Sequence, residues 1–87
     1  MDVRAFAKAL RCLPRTELER LCKDSGMNER EVYAVVSYVY DRKTIERISS
    51  DLNISVSTYH YKKENLALKL RNYLWIIKYP LDEMMKF

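Results

Sequence analysis

Val56, Ser57, His60 and Tyr61 offer the most selective chemistry in this 87-residue chain. If Ser55 caps a helix, these four side chains lie on its outward face at the leading end. That is the part of a helix that meets base edges when it enters a B-form major groove. Ser57 can donate or accept at any base, and Val56 can touch a thymine methyl. His60 can donate to a guanine acceptor, and Tyr61 can reach a base edge or a phosphate. Each contact is less selective than an arginine–guanine fork, so the expected base specificity is modest. His60 owes its place in this set to position alone, because a lone histidine is more often a solvated side chain. Around these four, Lys43, Thr44, Arg47, Ser55, Thr58 and Lys63 are the expected phosphate contacts, which set register and supply most of the affinity.

Other chemistries find little support. The twelve acids read as exposed helix residues. There is no glycine-rich phosphate loop, no Cys/His ligand cluster and no Ser-His-Asp set, so no enzyme activity, cofactor or metal is expected. Cys12 and Cys22 have no ligand spacing with His60, the one histidine. Buried reduced thiols are the simplest reading of the pair, with a disulfide left open. No apolar run is long enough to span a membrane and MDVRAFAKAL does not read as a secretion signal, so a cytoplasmic protein is expected.

Charge collects where the candidate contacts lie. Residues 1–41 hold seven basic and seven acidic side chains, whereas residues 42–78 hold eight basic against three acidic. A Lys-rich solvated helix face is the commoner meaning of such an excess taken alone. Its coincidence with the Ser55–Lys63 stretch is the footprint expected of a polyanion binder.

The elements that must position these residues are all helical. Val3, Phe6, Ala7, Leu10 and Leu13 form one apolar stripe, ended by Pro14. A second helix from Arg15 or Thr16 turns Leu18, Leu21 and Cys22 inward and ends at Gly26. Asn28 and Glu31 have the form of a capping box. The run EVYAVVSYVY behind them favours a strand by composition, yet Val32, Val35, Val36 and Val39 share one helical face and no partner strand exists. Tyr33 and Tyr40 form a neighbouring aromatic edge, more often core rim than a stacking platform. Thr44 caps a short helix carrying Ile45, Ile48 and Leu52, with small Ser49 where a helix crosses. Asn53 tolerates the left-handed turn into the next helix. That last helix is expected to run from Val56 to Tyr79, about 36 Å at helical rise. It carries Leu66, Leu70, Tyr73, Leu74 and Ile77 on one face and Leu68, Trp75, Ile76 and Tyr79 on another. The second face is left either for the first helix and the tail LDEMMKF to cover, or for another protein.

The segment TIERISSDLNISVSTYHYKKENLALKLR, residues 44–71, resembles the helix-turn-helix of the C-terminal domain of bacterial sigma factors and of LuxR-type regulators. The shared pattern is the Thr-led helix, Ile48–Ser49, Leu-x-Ile-Ser at 52–55, Ser57–Thr58 and the Leu-x-Leu-Lys-Leu-Arg ending at Arg71. MNEREVYAVVSYVYDRKT resembles the preceding helix, extending the likeness to residues 27–71. Asn53 stands at the turn glycine, and Tyr59 and Lys62 stand where aliphatic residues are usual. The other sigma domains have no counterpart in these residues, so a complete sigma factor is not expected.

The resemblance implies a bacterial or phage origin and an all-α, four- or five-helix DNA-binding domain with a long C-terminal helix. Residues 1–26 would supply packing helices, 27–71 the sigma-like region, and 72–87 the helix extension and tail. It further implies base reading by Val56, Ser57, His60 and Tyr61, and a role in transcription regulation on duplex DNA. Two versions differ in partner: a regulator that dimerises through the long helix, and a sigma-like accessory factor that contacts RNA polymerase as a monomer. The alternative is a helical adaptor or inhibitor that keeps the fold without binding DNA.

Overall fold

A computed structural model describes residues 2–80 and shows five α-helices, with no strand among the described residues. They are α1 (Val3–Leu10), α2 (Arg15–Asp24), α3 (Glu29–Val39), α4 (Ile45–Leu52) and α5 (Val56–Ile76). Both α3 and α5 pack against every other helix, so the core forms around that pair. Phe6, Leu10, Leu18, Leu21, Val36, Val39, Ile48, Tyr59, Leu70 and Leu74 are all buried in one cluster. No helix of the described residues is long and apolar enough to cross a membrane.

Local chemistry accounts for the starts of these helices. Asp2 caps α1 by accepting from the Arg4 and Ala5 amides at 3.0 and 3.2 Å. Pro14 precedes α2, where its missing N–H costs nothing. Asn28 and Glu31 close a reciprocal capping box on α3. Thr44 and Ser55 accept from the third amide of α4 and α5, each at 3.1 Å. The β-branched run of α3 is helical because its cap and its 3.6-residue apolar face agree, and burial of Val32, Val36 and Val39 outweighs the propensity for strand. Ala34 and Ser37 are buried as well, so the inward face of α3 is wider than the valines alone define.

Three helices end in one way. The residue after α2, α4 or α5 in the left-handed region is Gly26 (φ 99°), Asn53 (φ 57°) or Lys78 (φ 56°). The amide that follows it then bonds back five residues: Met27 to Cys22, Ile54 to Ser49 and Tyr79 to Leu74. Two expected boundaries move in consequence. The last helix stops at Ile76 and not at Tyr79, making it about 32 Å long. Tyr79 turns back and packs half-buried on the core, while Ile77 is exposed. The first helix stops at Leu10 rather than Leu13, and Leu13 reaches the core from the turn beyond it. The Tyr40 hydroxyl holds that turn by donating to the carbonyls of Leu10 and Leu13.

The cysteines are both free, but only Cys22 is buried, and burial pushes its thiol up to about 12. Cys12 is exposed, against the expectation of two buried thiols, because it follows the end of α1 where the stripe no longer faces inward. Of the second apolar face, Leu68, Trp75 and Ile76 are exposed. The tail LDEMMKF, one of its two expected covers, lies outside the described residues.

Asn53 carries the turn between α4 and α5, so its backbone conformation is testable. Asn53→Gly is expected to be tolerated, whereas Asn53→Val should cost about 1–2 kcal/mol in urea unfolding, because a β-branched side chain resists the left-handed region.

Candidate nucleic-acid interface

α5 begins at a turn with little freedom. The Ser49 carbonyl accepts from the Ile54 amide at 3.0 Å, and the Ser49 hydroxyl donates to the Ile45 carbonyl at 2.7 Å. Ser49 is buried, as a small residue must be where two helices approach. Ser55 then caps α5, and its Oγ lies 2.7 Å from the Thr58 hydroxyl and 3.2 Å from that of Ser57. Three hydroxyls therefore sit together at the leading end: that of Ser55 is held by the cap, while those of Ser57 and Thr58 keep a hydrogen for a phosphate or a base edge.

Val56, Ser57, His60 and Tyr61 are all exposed, Tyr61 at 74% and Val56 at 39%. Tyr59, between them, points the other way and is 2% exposed. Burial pushes its phenol up to about 12, which keeps it neutral. Tyr59, Leu66, Leu70 and Leu74 form the inward line of α5, so the tyrosine seats the helix as an aliphatic residue would. The first turn of α5 holds no acidic side chain, and its first carboxylate is Glu64. An exposed helix N-terminus of this kind carries a partial positive charge and unpaired amides.

The expected phosphate contacts divide into three groups. Thr44, Ser55 and Thr58 are exposed at the starts of α4 and α5. Lys43 and Arg47 share one acid. The Arg47 Nε lies 3.2 Å from Asp51 Oδ1, and the Lys43 Nζ lies 3.5 Å from Asp51 Oδ2. Tyr33 completes the cluster, donating to Asp51 at 2.6 Å while accepting from Lys43 at 2.8 Å. The Tyr33 hydroxyl, then Arg47 and Lys43, hold the Asp51 carboxyl below its ordinary range, and the hydrogen bond to Tyr33, then Asp51, raises Lys43. The third group is Lys63 alone. It is half-buried on the α3 side, its ammonium 5.8 Å from the centre of the Tyr38 ring, away from the hydroxyl cluster at the tip.

Asp51 and Tyr33 are the participants that sequence reasoning missed. The Arg47–Asp51 pair was visible as an i, i+4 spacing on one helix. The tyrosine was not, because it reaches the cluster from α3, eighteen residues away. A further cation stands at the opposite end of α4, where Arg30 donates to the Leu52 carbonyl and satisfies a helix terminus. No group of side chains among the described residues could hold a metal ion.

No protein-family model matches the chain, and neither a curated protein sequence nor a solved structure matches it.

Proposed function

We propose that the protein binds duplex DNA through the α4–turn–α5 unit, used as a helix-turn-helix, and acts in transcription regulation. One observation carries the reading: the leading end of α5 is exposed, capped, free of acids in its first turn and edged by Ser57, His60 and Tyr61. A helix entering the major groove needs such a tip, and the starts of α4 and α5 each offer amides and hydroxyls to phosphates. Ser57, Val56, His60 and Tyr61 then touch base edges, with Thr44, Ser55, Thr58, Lys43 and Arg47 on the backbone. Lys63 approaches the phosphates from the α3 side. The likeness of residues 27–71 to the sigma-type and LuxR-type unit supports the same assignment, with RNA polymerase as the second partner in a sigma-like version.

A second reading is favoured by a separate feature. Tyr61, Leu68 and Trp75 recur at heptad spacing on α5 and are 74%, 45% and 77% exposed. Ile76 adjoins them at 74%. A stripe of this kind suits a helix–helix seam, which fits the alternative of a helical adaptor or inhibitor, and equally the version of the regulator that dimerises along α5.

Fluorescence-anisotropy titration with random-sequence duplex between about 50 and 200 mM salt tests the first reading. Affinity should fall steeply, with a logarithmic slope of about −0.9 per phosphate neutralised. A flat or absent response rejects DNA binding. His60→Ala and Ser57→Ala should alter preference among sequences while leaving that slope unchanged.

Asp51→Asn generates the opposite expectation. Loss of the carboxylate releases Lys43 and Arg47, so duplex affinity should rise at low salt and the slope should steepen by about 1–2. An unchanged slope would mean that neither cation reaches a phosphate.

Sedimentation addresses the second reading. If the stripe pairs with a second copy, the protein should be dimeric at micromolar concentration and Trp75→Glu should make it monomeric. A monomer throughout leaves that stripe without a self-partner.

A further inference from the structure

The neutral balance of residues 1–41 conceals an uneven distribution. Arg4, Lys8 and Arg11 follow one another along a single face of α1 at i, i+4 and i+7. The fold sets that face beside the loop between α3 and α4. Arg4, Lys8 and Arg11 there join Arg42 and Lys43 around an open cleft of about 430 Å³, with Ala7 and Tyr38 completing its wall. No carboxylate is among the lining residues. Among the described residues, Arg4, Lys8, Arg11 and Arg42 form no ion pair. Arg11 directs its Nε to the Val39 carbonyl at 2.7 Å, which fixes the guanidinium and leaves its other N–H groups for a ligand. Arg42 holds a left-handed backbone at φ 49°, a strained conformation for a residue with a Cβ, of the kind that persists where surroundings or function demand it.

Lys43 is paired with Asp51, but the other four cations, drawn together without a carboxylate partner among the described residues, repel one another, and an anion relieves that repulsion. Three of the five are arginines, whose planar forks match the paired oxygens of a phosphate. The wall has one aromatic ring and one methyl group, too little apolar surface to enclose a nucleobase or an acyl chain. That favours repeated phosphates over a nucleoside. The cleft is also continuous with the surface already described. Lys43 precedes the Thr44 cap of α4, and the Tyr38 ring that forms its wall also carries Lys63 of α5.

We propose that the cleft between α1 and the α3–α4 loop is a phosphate-binding site, occupied by backbone phosphates of duplex DNA beyond the part that α5 enters. The site itself follows from its own cations; only its occupant rests on the DNA-binding reading. A track of positive charge then runs from Lys63 past Tyr38 to Arg4, Lys8 and Arg11, so α1 holds the flanking backbone.

Amide NMR of the intact chain distinguishes the outcomes, using sodium tripolyphosphate and a random duplex of about 25 base pairs as separate probes. The expected result is that both probes shift the amides of Arg4, Lys8, Arg42 and Lys43, with the duplex also shifting residues 55–61. In salt titrations of that duplex, Arg4→Ala/Lys8→Ala should lose about 2 from the logarithmic slope while keeping its sequence preference. Lys23→Ala, at an exposed lysine of α2 that does not line the cleft, should lose nothing. Shifts with tripolyphosphate but none with duplex uphold the phosphate site, assign it to a free phosphorylated ligand, and overturn the DNA reading. Duplex shifts confined to α4 and α5, with the cleft unmoved by either probe, overturn the cleft and leave the DNA reading standing. No shift with either probe overturns both.

Discussion

The exposed tip of α5 depends on the backbone of three residues, Asn53, Ile54 and Ser55. A left-handed Asn53 reverses the chain, the Ile54 amide closes onto the Ser49 carbonyl, and the Ser55 hydroxyl takes up a free amide at the start of the next helix. Both of these bonds are made within the junction, and Arg30 of α3 donates to the Leu52 carbonyl beside them. The direction in which α5 leaves α4 is therefore set locally, and the buried line Tyr59, Leu66, Leu70 and Leu74 then fixes its rotation. Fixing direction and rotation together decides which side chains face outward. Ser57 and Tyr61 are presented to solvent because Tyr59 is committed to the core.

Electrostatics act on this geometry unevenly. Two of the cations nearest the start of α4 are held by Asp51, whereas Arg4, Lys8, Arg11 and Arg42 line the cleft beside α1. In water the Asp51 contacts are worth little as stabilising interactions. Their effect is on position: they hold long side chains along the surface of α4, and Tyr33 of α3 fixes the acid that does so. A partner with its own anions would have to replace those contacts, and part of any favourable interaction would be spent in doing so. The cations beside α1 have no such competitor among the described residues.

The sequence was most legible where a residue type has a single structural use. Gly26, Asn28, Thr44, Asn53 and Ser55 stand at a helix boundary as their chemistry demands, and the ends of α2 and α4 and the starts of α3, α4 and α5 follow from them. Legibility failed where the boundary residue is ordinary. Lys78 terminates α5 by the same left-handed turn as Gly26 and Asn53, but nothing in a lysine announces it. The turn at Lys78 is held by burial of Tyr79, a tertiary contact. Arg42 is a similar case. The outward set Val56, Ser57, His60 and Tyr61 was legible from helical geometry and the Ser55 cap. The basic surface was legible only in part, because counting charge by halves of the chain cannot show that α1 folds beside the α3–α4 loop. Lys63 lies apart from the tip for a related reason: four residues past Tyr59, it falls beside the inward line of the helix rather than opposite it.

Tyr40 connects the first helix to this surface in a way that sets an alkaline boundary. Its hydroxyl hydrogen serves the carbonyls of Leu10 and Leu13, and burial holds the phenol above its ordinary value. The proton is therefore retained more tightly in the folded chain than in the unfolded one. The linked stability is complete below the unfolded value and fades as the solution is made basic enough to ionise the folded phenol. A phenolate facing two carbonyl oxygens would push the end of α1 outward, so strong base should loosen that end of the amino-terminal helix.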